Sequence, residues 1–207
     1  MKEYHKIVTV YERDPATNFK TLIMGNWAKP EFKFLADVMW FCEEKIDGTN
    51  IRIMWDGEKV RFGGKTDAAQ LYVPLLEVLQ KKFYAGALSE IFGSASFCLY
   101  GEGYGAKIQK GGGNYIPDGV DFILFDVLHG DTWLERKNVL DIANRLEVKM
   151  PSVMACTLRQ SIDQVQKGIR SELYDGPAEG FVMRPLVELR DRLGHRVITK
   201  LKNKDFK

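Results

Sequence analysis

CEEKIDGTNIRI, residues 42–53, is the stretch on which the reading of the chain turns. Apolar residues lead into it at Met39-Trp40-Phe41, and apolar alternation resumes after it at Ile51, Ile53 and Trp55. Asp-Gly between alternating segments is a strong turn signal. The stretch therefore predicts a β-hairpin of residues 39–46 and 49–55, with Lys45 just before the turn. Three acids, Glu43, Glu44 and Asp47, crowd that lysine. Their charges favour its protonated form. A lysine amine is a nucleophile only when neutral, and a reference pKa of about 10.4 leaves well under 1% neutral at pH 7. A chemical role for Lys45 would need cations from elsewhere in the chain.

Working outward, Asp56-Gly57 is a second turn and 58–63 a further strand. Pro74 opens a helix with Leu75, Leu76, Leu79 and Phe83 at 3–4 spacing. Residues 96–102 and 120–128 read as strands, and 137–147 as a short helix through Val139, Leu140, Ala143 and Leu146. Ser161 is placed to cap a helix whose buried face is Ile162, Val165, Ile169 and Leu173. Strands return at 178–185 and 195–202. Hairpins interrupted by segregated helices predict an α+β fold with antiparallel sheets, not a doubly wound parallel one.

The chain has 207 residues, 45% hydrophobic and 28% charged, with a net charge of +2. That suffices for one large domain, and this reading takes 1–207 as one. The balanced charge leaves any nucleic-acid surface to local placement. Cys42, Cys98 and Cys156 are scattered and form no zinc pattern. Free thiols and a cytoplasmic location are expected. His5, His129 and His195 are scattered too. No apolar run is long enough to span a bilayer, and no membrane association is expected.

Two motifs fail on inspection. FGGKT at 62–66 has Lys59 where a P-loop needs its first glycine. GEGYGA at 101–106 fits a dinucleotide fingerprint, but the glycine run 111–113 follows where a helix should open.

A different set of motifs falls in order. Lys45-Ile46-Asp47-Gly48 resembles the nucleotidyl-lysine motif of the covalent nucleotidyltransferases, the polynucleotide ligases and mRNA-capping enzymes. YGEGYG at 100–105 resembles that superfamily's glutamate motif, and DFILFDV at 121–127 its purine-packing strand. EGFVMR at 179–184 resembles its Glu-Gly motif, and ITKLK at 198–202 its closing Lys-x-Lys motif. The resemblance implies an adenylation domain of antiparallel sheets flanked by helices, with the nucleotide in the cleft between the sheets. Lys45 would be the nucleophile. Lys200 and Lys202, two apart on a strand and so on one face, would bind the phosphates and make Lys45 nucleophilic.

Within the superfamily, Asn50 is the discriminating residue. DNA ligases and capping enzymes usually carry arginine there, whereas Glu-Lys-x-Asp-Gly-Thr-Asn is similar to the RNA ligases that repair nicked duplex RNA. GEGYGAKIQKGGGNY at 101–115 resembles that family as well. The implied activity is ATP-dependent joining of RNA 3′-OH and 5′-phosphate ends through a lysyl-AMP and an RNA-adenylate, by a monomer. A DNA ligase or capping guanylyltransferase core is the alternative. The resemblance implies nucleotide contacts from Glu44, Lys45, Ile46, Asn50, Lys65, Glu102, Phe122, Glu179, Lys200 and Lys202. It implies Mg²⁺ or Mn²⁺ at Glu179 and Asp47. Glu102 reads mainly as the ribose contact. Phe122 is the expected adenine-stacking ring, with Phe125 as runner-up.

Two features depart from the family pattern. Lys65 stands where an arginine is common, with Arg61 and then Arg52 as possible substitutes. The chain also ends shortly after the last motif, so neither an OB nor a helical C-terminal domain is expected. Lys107 and Lys110, beside the glycine run, are candidate RNA-phosphate contacts.

Overall fold

The hairpin expected around Asp47-Gly48 does not form. Met39–Glu44 and Thr49–Trp55 are both strands, but each pairs with other partners in a separate sheet. Gly48 is instead a crossing point. Its backbone lies so close to the Gly103 carbonyl oxygen that any Cβ would collide with it. The close approach, not a two-residue hairpin turn, is what requires glycine here.

The computed structural model describes residues 2–206. The elements up to the second sheet are β1 (Val8–Thr9), β2 (Tyr11–Arg13), β3 (Leu22–Trp27), α1 (Pro30–Phe34) and β4 (Met39–Glu44). There follow β5 (Thr49–Trp55), β6 (Val60–Gly63), α2 (Val73–Lys82), α3 (Ala85–Phe92), β7 (Phe97–Gly105) and α4 (Gly112–Tyr115). The remainder is β8 (Val120–His129), β9 (Thr132–Trp133), α5 (Arg136–Arg145), β10 (Val153–Thr157), α6 (Leu158–Lys167), β11 (Gly180–Pro185) and β12 (Thr199–Lys202). The α+β class with antiparallel sheets is as expected; β1 against β12 is a parallel pair. None of the helices among the described residues is long and apolar enough to cross a membrane.

Two compact units can be distinguished, residues 2–5 with 47–151 and residues 6–46 with 152–206. The first is built on an antiparallel sheet in the order β6-β5-β7-β8-β9. Ile51 and Ile53 of β5 are fully buried in one core with Leu75, Leu79 and Phe83 of the α2 region and Val139 of α5. Each such aliphatic side chain stabilises the fold by about 1.5–3 kcal/mol. The opposite face of this sheet carries Tyr100, Leu128 and Trp133, covered by Tyr4.

The second unit holds the sheet β1-β12-β11-β4-β10 and the small β2-β3 pair. Trp40 and Cys42 of β4, Phe181 and Met183 of β11 and Leu201 of β12 share one face, packed with Leu158, Ile162 and Val165 of α6. The cap of α6 is Thr157, not Ser161. Thr157 Oγ1 accepts from the Gln160 backbone N–H while Gln160 reaches back to the Thr157 N–H, a reciprocal capping box. Ser161 lies inside the helix, fully buried, its hydroxyl donating to the Thr157 carbonyl. Free thiols were expected throughout; Cys98 is free and buried, but Cys42 and Cys156 form a disulfide between β4 and β10.

Candidate active site

In the second unit, register determines which side chains meet. Val182 is opposite both Glu43 and Lys200, and Gly180 is opposite Lys202. Directly opposed residues point to the same side of a sheet. Glu43, Val182, Lys200 and Lys202 therefore share the face turned away from the α6 core. Lys45 follows β4 immediately, its backbone N–H donating to the Gly180 carbonyl at 2.9 Å.

Glu179 is the hub of this face. Its Oε2 accepts from Lys45 Nζ at 2.7 Å and its Oε1 lies 2.6 Å from Lys202 Nζ. Burial alone would raise the Glu179 carboxyl, but the charges and hydrogen bonds of Lys45 and Lys202 outweigh it and hold it below the usual range. The backbone carbonyl of Glu179 accepts from Asn203 N–H, whose side chain donates to Ala178 O at 2.7 Å. Gly180 follows at φ +156, with Leu201 and Lys202 backbone atoms where a Cβ would stand. The Glu-Gly sequence thus places the carboxylate at a strand end pressed against β12.

Lys200 is half-buried. Burial, then the charges of Lys202, Lys45 and Arg13, lower its pKa to about 8. The cations that the sequence required around Lys45 are therefore gathered on its own sheet. Lys45 Nζ also donates to the Ile46 carbonyl at 3.4 Å. Glu44 points to the other face and is buried, accepting from Ser171 Oγ at 2.5 Å and the Glu172 N–H at 2.9 Å.

The other expected residues belong to the first unit. Asn50 on β5 is opposite Glu102 on β7. Asn50 Oδ1 is buried with no hydrogen-bond partner among the described residues. The Glu102 side chain runs alongside Gly48. The Asp47 N–H donates to Tyr115 Oη at 3.2 Å, and Gln109 Nε2 donates to the Gly48 carbonyl at 3.0 Å. The loop after β7 thus grips the Asp47-Gly48 crossing.

Phe122 is a correction. Its ring is fully buried, edge-to-face on Phe83 and beneath Gly101. Gly103 is opposite Phe122, so this ring takes the helix-covered face, while Asn50 and Glu102 take the other. It offers no surface to a purine. The β7–β8 register shifts between Tyr100 and Gly101, so β8 bulges at Phe125 and Phe122 does not share a face with Asp126 as simple alternation along the strand would have it. Phe125, the runner-up, lies against Tyr4.

The residues around Lys65 sort by burial. Lys65 is exposed. Arg61 is exposed and paired with Asp56. Arg52 is fully buried, donating to Gly64 O and Asp67 Oδ1 at 2.7 Å each, so it shapes the loop that presents Lys65.

Among the described residues no cluster of three His, Cys, Asp or Glu side chains could cage a metal. Magnesium is usually held by one or two carboxylates together with substrate phosphates. Glu179 beside Lys45, Lys200 and Lys202 fits that shared arrangement, and the three lysines fit a polyphosphate.

Sequence reasoning missed Arg13, which pairs with Asp205 at 2.8 Å and acts on Lys200. It also missed the pair between Glu43 and Arg184. Arg184 lies inside the quoted EGFVMR motif, and alternation from Val182 would have put it on the lysine face. Nothing local signals Ser171 or Arg13.

A family model described as RNA ligase matches residues 38–202. Among curated proteins no sequence relative is found. Solved structures of Naegleria gruberi RNA ligase share the fold. An apo mutant aligns at TM-score 0.67 and 15% identity, over 100% of this chain and 58% of that one. A mutant with ATP and Mn aligns at 0.68 and 16%, over 99% and 60%. The same ligase with PPi aligns at 0.67 and 16%, over 98% and 58%. This chain thus spans less than two thirds of the length of those ligases.

Proposed function

The chain belongs to the RNA ligase family, and on that premise we propose that it is an ATP-dependent RNA ligase, or the adenylylating part of one, that joins RNA 3′-OH and 5′-phosphate ends. The observation that carries the reading is Lys45 held at 2.7 Å by Glu179, on a sheet face that also presents Lys200 and Lys202. Solved relatives of the same fold with ATP and Mn, and with PPi, support it.

Lys45 attacks the α-phosphorus of ATP, forming a phosphoramidate and releasing pyrophosphate. The AMP then passes to an RNA 5′-phosphate, and a 3′-OH displaces it. Each step is an in-line displacement at phosphorus, in which positioning and charge stabilisation do most of the work. Lys200 and Lys202 take the phosphates whose negative charge grows as pyrophosphate leaves. Glu179 orients Lys45 and Lys202. Asn50 Oδ1 and Glu102 offer acceptors suited to ribose hydroxyls, and Glu44 and Ile46 flank the nucleophile. A divalent ion bound through Glu179 or Asp47 and the phosphates would supply further charge neutralisation. Lys65, Lys107 and Lys110 are the cations this reading assigns to RNA phosphates. The substrate is taken as a nicked duplex, the enzyme as a monomer and its location as the cytoplasm.

Incubation with α-labelled ATP and magnesium, followed by denaturing electrophoresis, tests the first step. Wild type is expected to carry an acid-labile AMP label and Lys45→Ala none. Equal labelling of the two would end the proposal. Transfer to nicked RNA against nicked DNA, and ATP against GTP, separates this reading from a DNA ligase or a guanylyltransferase.

A further inference from the structure

Between β11 and β12 the chain runs out and back through residues 186–198. Leu189 and Val197 anchor this excursion against the α6 core, and the Val197 N–H donates to the Leu189 carbonyl at 2.8 Å. Beyond them Arg190 and Arg196 form an antiparallel bridge, and the chain reverses over Asp191-Arg192-Leu193-Gly194. One carboxylate fixes the reversal. Asp191 Oδ1 accepts from the Leu193 and His195 N–H groups at 3.0 and 2.9 Å, and its Oδ2 accepts from Lys29 Nζ at 3.1 Å. Gly194 takes φ +81, which suits glycine. The braced tip faces water: Leu193 is 72% exposed, and Arg190 and Arg192 are exposed beside it. Arg190 Nη1 donates to the Gly194 carbonyl at 3.3 Å, which keeps its guanidinium at the tip. Both acids of the segment are engaged internally, Glu188 by the buried Arg196 at 2.6 and 2.8 Å and Asp191 by Lys29. The charge left at the tip is positive.

We propose that this turn docks on the RNA duplex flanking the ends to be joined, with Arg190 and Arg192 against backbone phosphates and Leu193 against the sugars of the minor groove. The docking rests on the RNA-ligase reading and adds a duplex-binding element to it. Charge complementarity favours RNA, since two exposed guanidiniums on a fixed turn match phosphates geometrically as well as electrostatically. Continuity favours it too. The excursion leaves β11, which follows Glu179, and returns to β12, which carries Lys200 and Lys202. Seven residues separate Leu193 from Lys200, at most about 25 Å of extended chain. A duplex whose end is held at the lysine face passes within a few base pairs of that reach, at about 3.4 Å per step. The minor groove of an A-form helix is wide and shallow and is read by shape, 2′-hydroxyl and phosphate contacts. A short braced turn with one apolar side chain at its tip suits such a groove, and offers too little apolar area for a stable protein interface.

The test is binding of a nicked RNA duplex, followed by fluorescence anisotropy over a series of salt concentrations, beside self-adenylylation with α-labelled ATP. The double variant Arg190→Ala, Arg192→Ala is expected to label with AMP at the wild-type rate. It should bind the duplex about tenfold more weakly at low salt, and the slope of log Kd against log salt should fall by about two, close to one for each phosphate contact. Arg192→Lys keeps the charge and should keep the slope. Leu193→Ala should weaken binding about threefold with the slope unchanged. In single-turnover AMP transfer, the double variant should need more RNA to reach half-maximal rate while its maximal rate stays near wild type. A double variant whose affinity and salt slope match wild type overturns the proposal, as does one that fails equally in labelling. So does a Leu193→Ala protein that binds RNA normally but has lost a dimer seen for wild type by sedimentation, which would make the turn a contact between copies. Absence of labelling in wild type would instead refute the lysyl-AMP reading itself.

Discussion

Lys45 Nζ rests 2.7 Å from Glu179 Oε2, so the lysine amine is parked against a carboxylate that Lys202 holds from its other oxygen. This fixes where the amine lies before any phosphate arrives. Glu179→Gln keeps the shape and removes the charge, releasing both lysines. Adenylylation is expected to fall about a hundredfold, the scale on which a positioned charge-stabilising group acts. The rate of AMP labelling checks this. A variant that labels at the wild-type rate would show that Glu179 only fills space.

The stability of the protein should carry the signature of Lys200. Its folded pKa is about 8 against an ordinary 10.5. Below pH 8 both folded and unfolded chains hold the proton, and the folded state bears the full cost of an ammonium half-buried among cations. Between those values the folded state releases its proton first, so stability rises with pH through that window. Lys200→Met is therefore expected to be more stable than wild type at neutral pH, with the advantage shrinking as pH rises from about 8 to about 10.5. Urea midpoints at several pH values measure it. An advantage that is constant with pH would contradict the assignment.

The motif residues were legible because their chemistry is local to short strings: Lys45 with Asp47 and Gly48, Glu179 with Gly180, Lys200 with Lys202. Strand positions were legible from alternation. Strand partners were not. The Asp47-Gly48 signal describes a turn but not which strands then pair. β4 pairs with β11 and β10, segments more than a hundred residues away. Phe122 shows the same limit on one strand, since period-2 parity holds only until a bulge resets it. Thr157 in place of Ser161 was readable from Thr-x-x-Gln, a capping-box spacing passed over for a residue nearer the apolar run. The Cys42–Cys156 pairing depends on β4 and β10 being neighbours, which no spacing of three cysteines reveals.

Gly48→Ala tests the crossing. A methyl there would strike the Gly103 carbonyl and the Glu102 side chain, both held by the β5–β7 pairing. Backbone must shift, and overpacking of this kind costs about 1–3 kcal/mol. The urea midpoint should fall accordingly. An unchanged midpoint would mean that the crossing yields freely.

The three cations near the loop after β6 should separate cleanly. Arg52→Ala removes a fully buried guanidinium that donates to Gly64 and Asp67, and is expected to cost about 2–3 kcal/mol. Arg61→Ala breaks an exposed pair with Asp56 and should change stability by less than about 0.5 kcal/mol. Lys65→Ala should leave both stability and self-adenylylation intact while slowing AMP transfer to RNA, most at low salt, because one phosphate contact fewer flattens the salt dependence. Unfolding curves and single-turnover transfer to a nicked duplex measure these. Equal transfer by Lys65→Ala and wild type would remove Lys65 from the RNA contacts.

The Cys42–Cys156 disulfide closes a loop with a sequence separation of 114 and ties β10, an edge strand, to the strand that leads into Lys45. Cross-links over long loops stabilise chiefly by restricting the unfolded chain, typically by about 2–4 kcal/mol. Reduction with a phosphine should therefore lower the urea midpoint of wild type. Cys156→Ser should start at the lowered value and not respond to reductant. Cys98→Ser, which leaves the pair intact, should respond as wild type does. The same samples, assayed for AMP labelling, report whether the tie matters to Lys45: with Glu179 and the Gly180 carbonyl holding Lys45 from the β11 side, labelling is expected to survive reduction at temperatures where the protein stays folded. Loss of labelling without unfolding would show that the β10 side also positions Lys45.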